Sequence, residues 1–175
     1  MDDLIGPGAL VTLEWDRGHE SIEAIVRARS DTGIVVTELH DLEPRQGLKW
    51  IRHDEVLLLE SLPPDGAPSR LADVQGTRAM RADEQLTDLP VLIAAMQDAG
   101  LLIAVYDRVA GSSECSVGTV SDLGPERFVI RTVDTDARFD GDTPEFELDD
   151  VLSVEWGTTY LDAITALLRA EGALP

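Results

Sequence analysis

Six carboxylates crowd one short stretch of the chain: Asp134, Asp136, Asp140, Asp142, Glu145 and Glu147. Carboxylates at such close intervals can chelate a hard cation through oxygen or present negative charge to a basic partner. An EF-hand calcium loop would need glycine at its sixth position, and counting from Asp134 that position is Phe139, so the calcium motif fails. The stretch reads first as a plain solvated turn; the functional alternatives are a partner-binding surface made by Asp134, Asp136, Asp140, Asp142 and Glu145, and a weak cation site. A comparable loop earlier in the chain, Asp41 to Lys49, carries Arg45 and Lys49 instead. Opposite loop chemistry would let the two regions bind each other, or reserve the second for a basic partner.

Other chemistries find little support. His19, His40 and His53 match no short metal-ligand spacing and read as scattered surface histidines. Cys115 is the single cysteine, so an internal disulfide and a cysteine-based zinc site are both excluded; a packed or idle thiol on a half-buried strand is expected. Ser112, Ser113 and Ser116 lie in no Gly-x-Ser-x-Gly elbow. Gly6-Pro7-Gly8 precedes a strand, whereas a phosphate cradle requires a helix N-terminus. Asp16-Arg17 and Asp107-Arg108 recur beside Trp15 and Tyr106 and read as turns held by the aspartate, with a solvated arginine. Trp50 and Trp156 read as core and edge packing. No catalytic, cofactor-binding or metal residue is assigned, and no cofactor is expected.

The elements that would carry these residues are mostly strands. Leu101–Tyr106 is a short apolar run, Cys115–Val120 alternates, and Phe128–Val133, Glu145–Leu148 and Val151–Trp156 complete five strands. An earlier region repeats the pattern: Ala9–Trp15, Ser21–Arg29, Ile34–Thr37, Leu48–Ile51 and Asp54–Glu60. Leu10 to Arg17 reads LVTLEWDR where Leu101 to Arg108 reads LLIAVYDR, an internal duplication that holds at both ends and in the middle. Asp88-Leu89-Pro90 starts a helix that Gly100 stops, and Thr159 caps a second helix ending before Gly172. Leu161, Ile164, Leu167 and Leu168 give that second helix one apolar face. The expected fold is mainly β with a few helices (α+β): two tandem small five-stranded antiparallel barrel-like modules, each with helical additions. Residues 1–62 form the first, 63–87 a partly helical or flexible connector, and 88–175 the second. Ser69 to Leu86 is compatible with a surface helix or a linker.

Charge narrows the partners. Thirty-four acidic residues face 14 basic ones, a net charge of −20, and Lys49 is the only lysine. Nucleic acid is not a natural partner, because phosphate binding needs clustered arginine and lysine. The composition also fits a GC-rich genome or a salt-loving host, in which case the acidity is not functional. Met1-Asp2-Asp3 is unlike a secretory leader and no apolar run approaches the roughly 20 residues that cross a bilayer, so a cytoplasmic protein without a membrane partner is expected.

The second copy resembles small Sm-like or SH3-like barrels, and specifically a group of uncharacterised bacterial proteins. The likeness rests on the acidic turn, the strand Leu148-Asp149-Asp150-Val151-Leu152-Ser153-Val154 and the helix start Tyr160-Leu161-Asp162-Ala163-Ile164. It covers about Leu101 to Leu168 and implies fold more than function. Sm-type RNA binding would ask for basic and stacking residues on loops that are acidic here. The reading is a non-enzymatic interaction protein with an acidic surface for a basic protein partner, an immunity or inhibitor protein being one concrete form. The alternative is a small-ligand protein or enzyme with a carboxylate-lined site between the modules, using residues such as Glu14, Asp107 or Glu155. A third reading is a homo-oligomer joined through strand edges.

Overall fold

Apolar runs buried on both faces in the middle of the sheet, alternating burial in the strands farther out, and turns where Gly, Pro and Asp cluster produce an antiparallel sheet. The structure is a computed structural model that describes residues 5–16, 20–39, 47–63, 66, 83–111 and 113–174. The described strands are β1 (Leu10–Trp15), β2 (Glu20–Arg29), β3 (Gly33–Glu38), β4 (Leu48–Arg52), β5 (Leu58–Ser61), β6 (Leu102–Asp107), β7 (Ser116–Leu123), β8 (Arg127–Thr132), β9 (Glu145–Glu147) and β10 (Val151–Trp156). Two helices accompany them, α1 (Leu89–Ala99) and α2 (Thr159–Ala170). The sheet order is β5-β1-β2-β3-β4-β10-β6-β7-β8-β9.

That order corrects the expectation of two barrel-like modules. The ten strands form one continuous antiparallel sheet, because β4 pairs with β10 across the chain: Ser153 faces Ile51, Val154 faces Trp50, Glu155 faces Lys49 and Trp156 faces Leu48. The strand edge that a closed barrel would use on itself is hydrogen-bonded to the other half instead. A single apolar cluster accordingly takes Ala28, Val35 and Trp50 from the first half together with Ile103, Val105, Phe128, Ile130 and Val154 from the second.

Most strand positions agree with the apolar pattern to within one or two residues. The segment expected to run as one strand from Asp54 to Glu60 is instead a 3-10 turn, His53–Glu55, followed by β5. Three polar residues in succession favour the turn over a strand face. The second half has a 3-10 turn at the matching place, Leu148–Asp150.

Both described α-helices pack on strands of the second half, α1 on β7 and α2 on β6. On the first half, the helical addition expected from the sequence is represented among the described residues by a short 3-10 turn, Glu84–Thr87, against β2 and β3. The surface helix or linker expected from Ser69 to Leu86 otherwise lies outside the description, since residues 67–82 are not part of it. In α1 the Asp88 side chain accepts from the Val91 N–H and Gly100 closes the helix in the left-handed region at φ 59°. In α2 the cap is Thr158, one residue before the expected Thr159, its hydroxyl accepting from the Leu161 N–H at 3.2 Å. Leu161, Ile164 and Leu168 are buried against Leu102, Val133 and Ala137, each contributing about 1.5–3 kcal/mol of hydrophobic burial. Leu167, expected on the same face, is 54% exposed. Three buried positions already fill the contact, so the fourth points to solvent.

Candidate functional site

The acidic stretch is a folded loop between β8 and β9. The Asp134 carboxylate accepts from the backbone N–H groups of Asp136 and Arg138, both at 2.9 Å, and the Asp134 N–H donates to the Arg138 carbonyl. Farther along, the Asp140 carboxylate accepts from the Thr132 hydroxyl at 2.6 Å and from the Asp142 N–H at 2.9 Å. Aspartates hold turns in this way because the short side chain reaches a backbone donor two residues on. Ala137, at φ 58°, is buried beneath α2, and the Arg131 guanidinium sits 3.4 Å from the centre of the Phe139 ring.

The five expected binding residues therefore divide. Asp134 and Asp140 spend their carboxylates on the loop itself, and Glu145 pairs with Arg127 at 2.9 Å. Asp136 and Asp142 are exposed, and their carboxylates have no partner among the described residues. The Thr132 hydroxyl, and after it the Asp142 N–H, holds the Asp140 carboxyl below its ordinary value. A carboxyl whose pKa is lower in the folded state than the ordinary value of about 3.9 contributes stability fully above that value and loses it as pH falls through the folded one. The Asp142 amide should accordingly stay protected from hydrogen exchange at neutral pH and lose protection only in acid. Asp140→Ala should abolish both the protection and its acid dependence, as read by amide exchange in NMR. An unchanged exchange rate would remove Asp140 from the role of loop anchor.

The seam between the halves contains a second polar cluster. Lys49 on β4 is buried and donates to Glu38 of β3 at 2.9 Å, with Glu155 of β10 at 3.0 Å. Its ammonium lies 4.6 Å from the centre of the Trp15 ring and 5.4 Å from that of Tyr106. Burial pushes the Lys49 pKa down, while the Glu38 and Glu155 charges more than reverse it, so the net shift is upward. Burial raises the Tyr106 phenol, with Glu155 and Cys115 adding to the effect. An ammonium held charged between two carboxylates is a structural tie and not a nucleophile. Cys115 is exposed and lies just before β7, off the half-buried strand expected for it; partial burial of its thiol, first among the causes, raises its pKa.

Arg108 also ties the halves, where a solvated side chain was expected. Its guanidinium donates to Glu55 at 2.6 and 2.9 Å and to the Asp149 carbonyl at 3.0 Å, while Asp107 holds the adjacent turn by accepting from the Val109 and Ala110 N–H groups. Of the histidines, His53 lies 3.4 Å from Arg29; His19 and His40 fall outside the described residues, as does Arg45. No group of three or more His, Cys, Asp or Glu suited to a metal ion occurs among the described residues.

A cavity of about 580 Å³ opens where the halves meet, lined in part by Trp50 and Arg52 of β4, the N-terminal end of α1 and the 3-10 turn after β9. Its carboxylates are Asp88, Glu126, Glu147 and Asp149, none of them among the three named from the sequence. Glu155 is instead engaged with Lys49, Asp107 with its own turn, and Glu14 lies on β1 opposite Ser21 of β2. The cavity residues come from five separate segments of the chain, and no local spacing links them. Comparison with protein-family models, with curated proteins and with solved structures finds no match to this chain.

Proposed function

We propose that this chain is a non-enzymatic binding protein whose β8–β9 loop engages a basic protein, an immunity or inhibitor protein being the concrete form. The observation that carries the reading is the division of labour in the loop. Asp134 and Asp140 fix the backbone, which leaves the Asp136 and Asp142 carboxylates outward in a set position. A preorganised acidic face loses little side-chain and loop freedom on binding, and the net charge of −20 adds long-range steering toward a basic partner. The two halves are read as copies of one module, supported by the parallel strand orders β5-β1-β2-β3-β4 and β10-β6-β7-β8-β9 and by the matched 3-10 turns.

The test is capture of partners from native cell extract at low and at high salt, followed by association kinetics with the captured protein. A basic protein retained at low salt and released at high salt is expected. Asp136→Asn combined with Asp142→Asn should slow its association on the order of tenfold, as electrostatic steering implies. Affinity indifferent both to salt and to the double substitution would sink the proposal. A second reading, small-ligand binding between the halves, is favoured by the cavity at the seam.

A further inference from the structure

The cavity at the seam has a chemical bias. Its lining has an apolar part: Pro90 and Pro125 are exposed there, and Trp50, Leu89 and Leu148 lie buried behind the surface. Beside the prolines stand four carboxylates and one guanidinium. The guanidinium is already engaged, because Arg52 donates to the backbone carbonyls of Val151 and Leu148. Asp88 is engaged as the cap of α1. The carboxylates of Glu126, Glu147 and Asp149 have no partner among the described residues.

Three uncommitted negative charges beside the exposed rings of Pro90 and Pro125 favour a ligand with a positive head and an apolar stem. The volume of about 580 Å³ lies within the ordinary range for small-molecule sites. A compact metal ion fits poorly, since among the described residues no three acidic, imidazole or thiol groups converge enough to hold one. An organic cation can reach separated carboxylates and lay its methylenes on the exposed rings of Pro90 and Pro125. We infer that this cavity binds an alkyl-ammonium or alkyl-guanidinium group, from a free polyamine or from a lysine or arginine side chain of a bound peptide. The inference rests on the second reading above, that the cavity is a ligand site, and is independent of the β8–β9 loop.

The experiment follows backbone amide shifts by NMR while the full chain is titrated with 1,6-diaminohexane, with 1,6-hexanediol as its uncharged counterpart, and with a capped Arg-Arg dipeptide. Saturable shifts at Leu89, Leu148 and Asp149 are expected with the diamine or the dipeptide, at least tenfold tighter than with the diol. Whichever of the two cations binds more tightly identifies the source. Glu126→Gln combined with Glu147→Gln, both at exposed positions, should weaken the cation at least tenfold and leave the diol unchanged. Asp136→Asn combined with Asp142→Asn should have no effect. Equal binding of diamine and diol would overturn the cation preference while leaving the cavity a ligand site. No saturable shift with any probe would overturn both. Shifts centred on Asp136 and Asp142 would reduce the effect to general counter-ion attraction and overturn the assignment.

Discussion

Lys49→Met should lower the stability of the whole chain by about 3 kcal/mol, the lower end for breaking a buried ion pair from one side. The lysine side chain is 11% exposed, and Glu38 and Glu155 are 20% and 21% exposed. Methionine would fill most of the space over Trp15 and leave two half-buried carboxylates facing each other without a counter-charge. For a chain of this size the loss corresponds to a melting temperature lower by roughly 6–12 °C. Adding Glu38→Gln and Glu155→Gln should restore most of it, since the penalty lies in the stranded charges. In the parent protein the raised lysine pKa places this contribution fully below about pH 10, the ordinary lysine value, and removes it as pH rises through the higher folded value. Thermal and denaturant unfolding of the single and triple variants checks the set. A single variant that melts with the parent would show that the seam does not depend on Lys49.

Gly33→Ala should cost a comparable amount, about 3–4 kcal/mol, for a different reason. A Cβ at position 33 would stand 2.0 Å from the Trp50 indole nitrogen and 2.8 Å from the Thr87 carbonyl oxygen. Those two atoms make a buried hydrogen bond of 2.7 Å that fastens the 3-10 turn Glu84–Thr87, and with it the entry to α1, onto β4. The added methyl group must displace the indole, which combines overpacking with a lost buried bond. Trp50→Phe removes the nearest clashing atom, so Gly33→Ala should be milder in that background by at least about 1 kcal/mol, an interaction that a double-mutant cycle by urea unfolding measures. Strict additivity would show that position 33 and the indole do not meet.

The strands were legible because their information is local. Val151–Trp156 and Leu102–Asp107 announce themselves as short apolar runs, and Asp88, Pro90 and Gly100 mark the limits of α1 by capping chemistry alone. The acidic loop was visible as composition, but not the split within it: whether Asp134 or Asp136 faces inward depends on turn geometry that no spacing records. The seam was hidden for a stronger reason. Pairing of Trp50 with Val154 is a match between distant edges that are each compatible with other partners, including their own module. Lys49 looked like a loop cation and proved to be a buried one because β4 acquired a neighbour carrying Glu155. The cavity carboxylates were unreadable for a related cause, as Asp88, Glu126 and Asp149 lie far apart in the chain and become neighbours only when the second half has folded.

The placement of β10 between β4 and β6 also sets the order in which the molecule can be finished. The strand that holds the middle of the sheet follows the β4 edge it covers by about a hundred residues of chain. At ribosomal speeds of roughly 5–20 residues per second, that edge waits about 5–20 s for its partner. During this interval the nascent first half offers an open row of backbone donors and acceptors beside Trp50 and Ile51, the kind of surface to which another chain can add. Closure of the sheet is thus tied to the emergence of Val151–Trp156, and any truncation before Val151 leaves the open edge permanent.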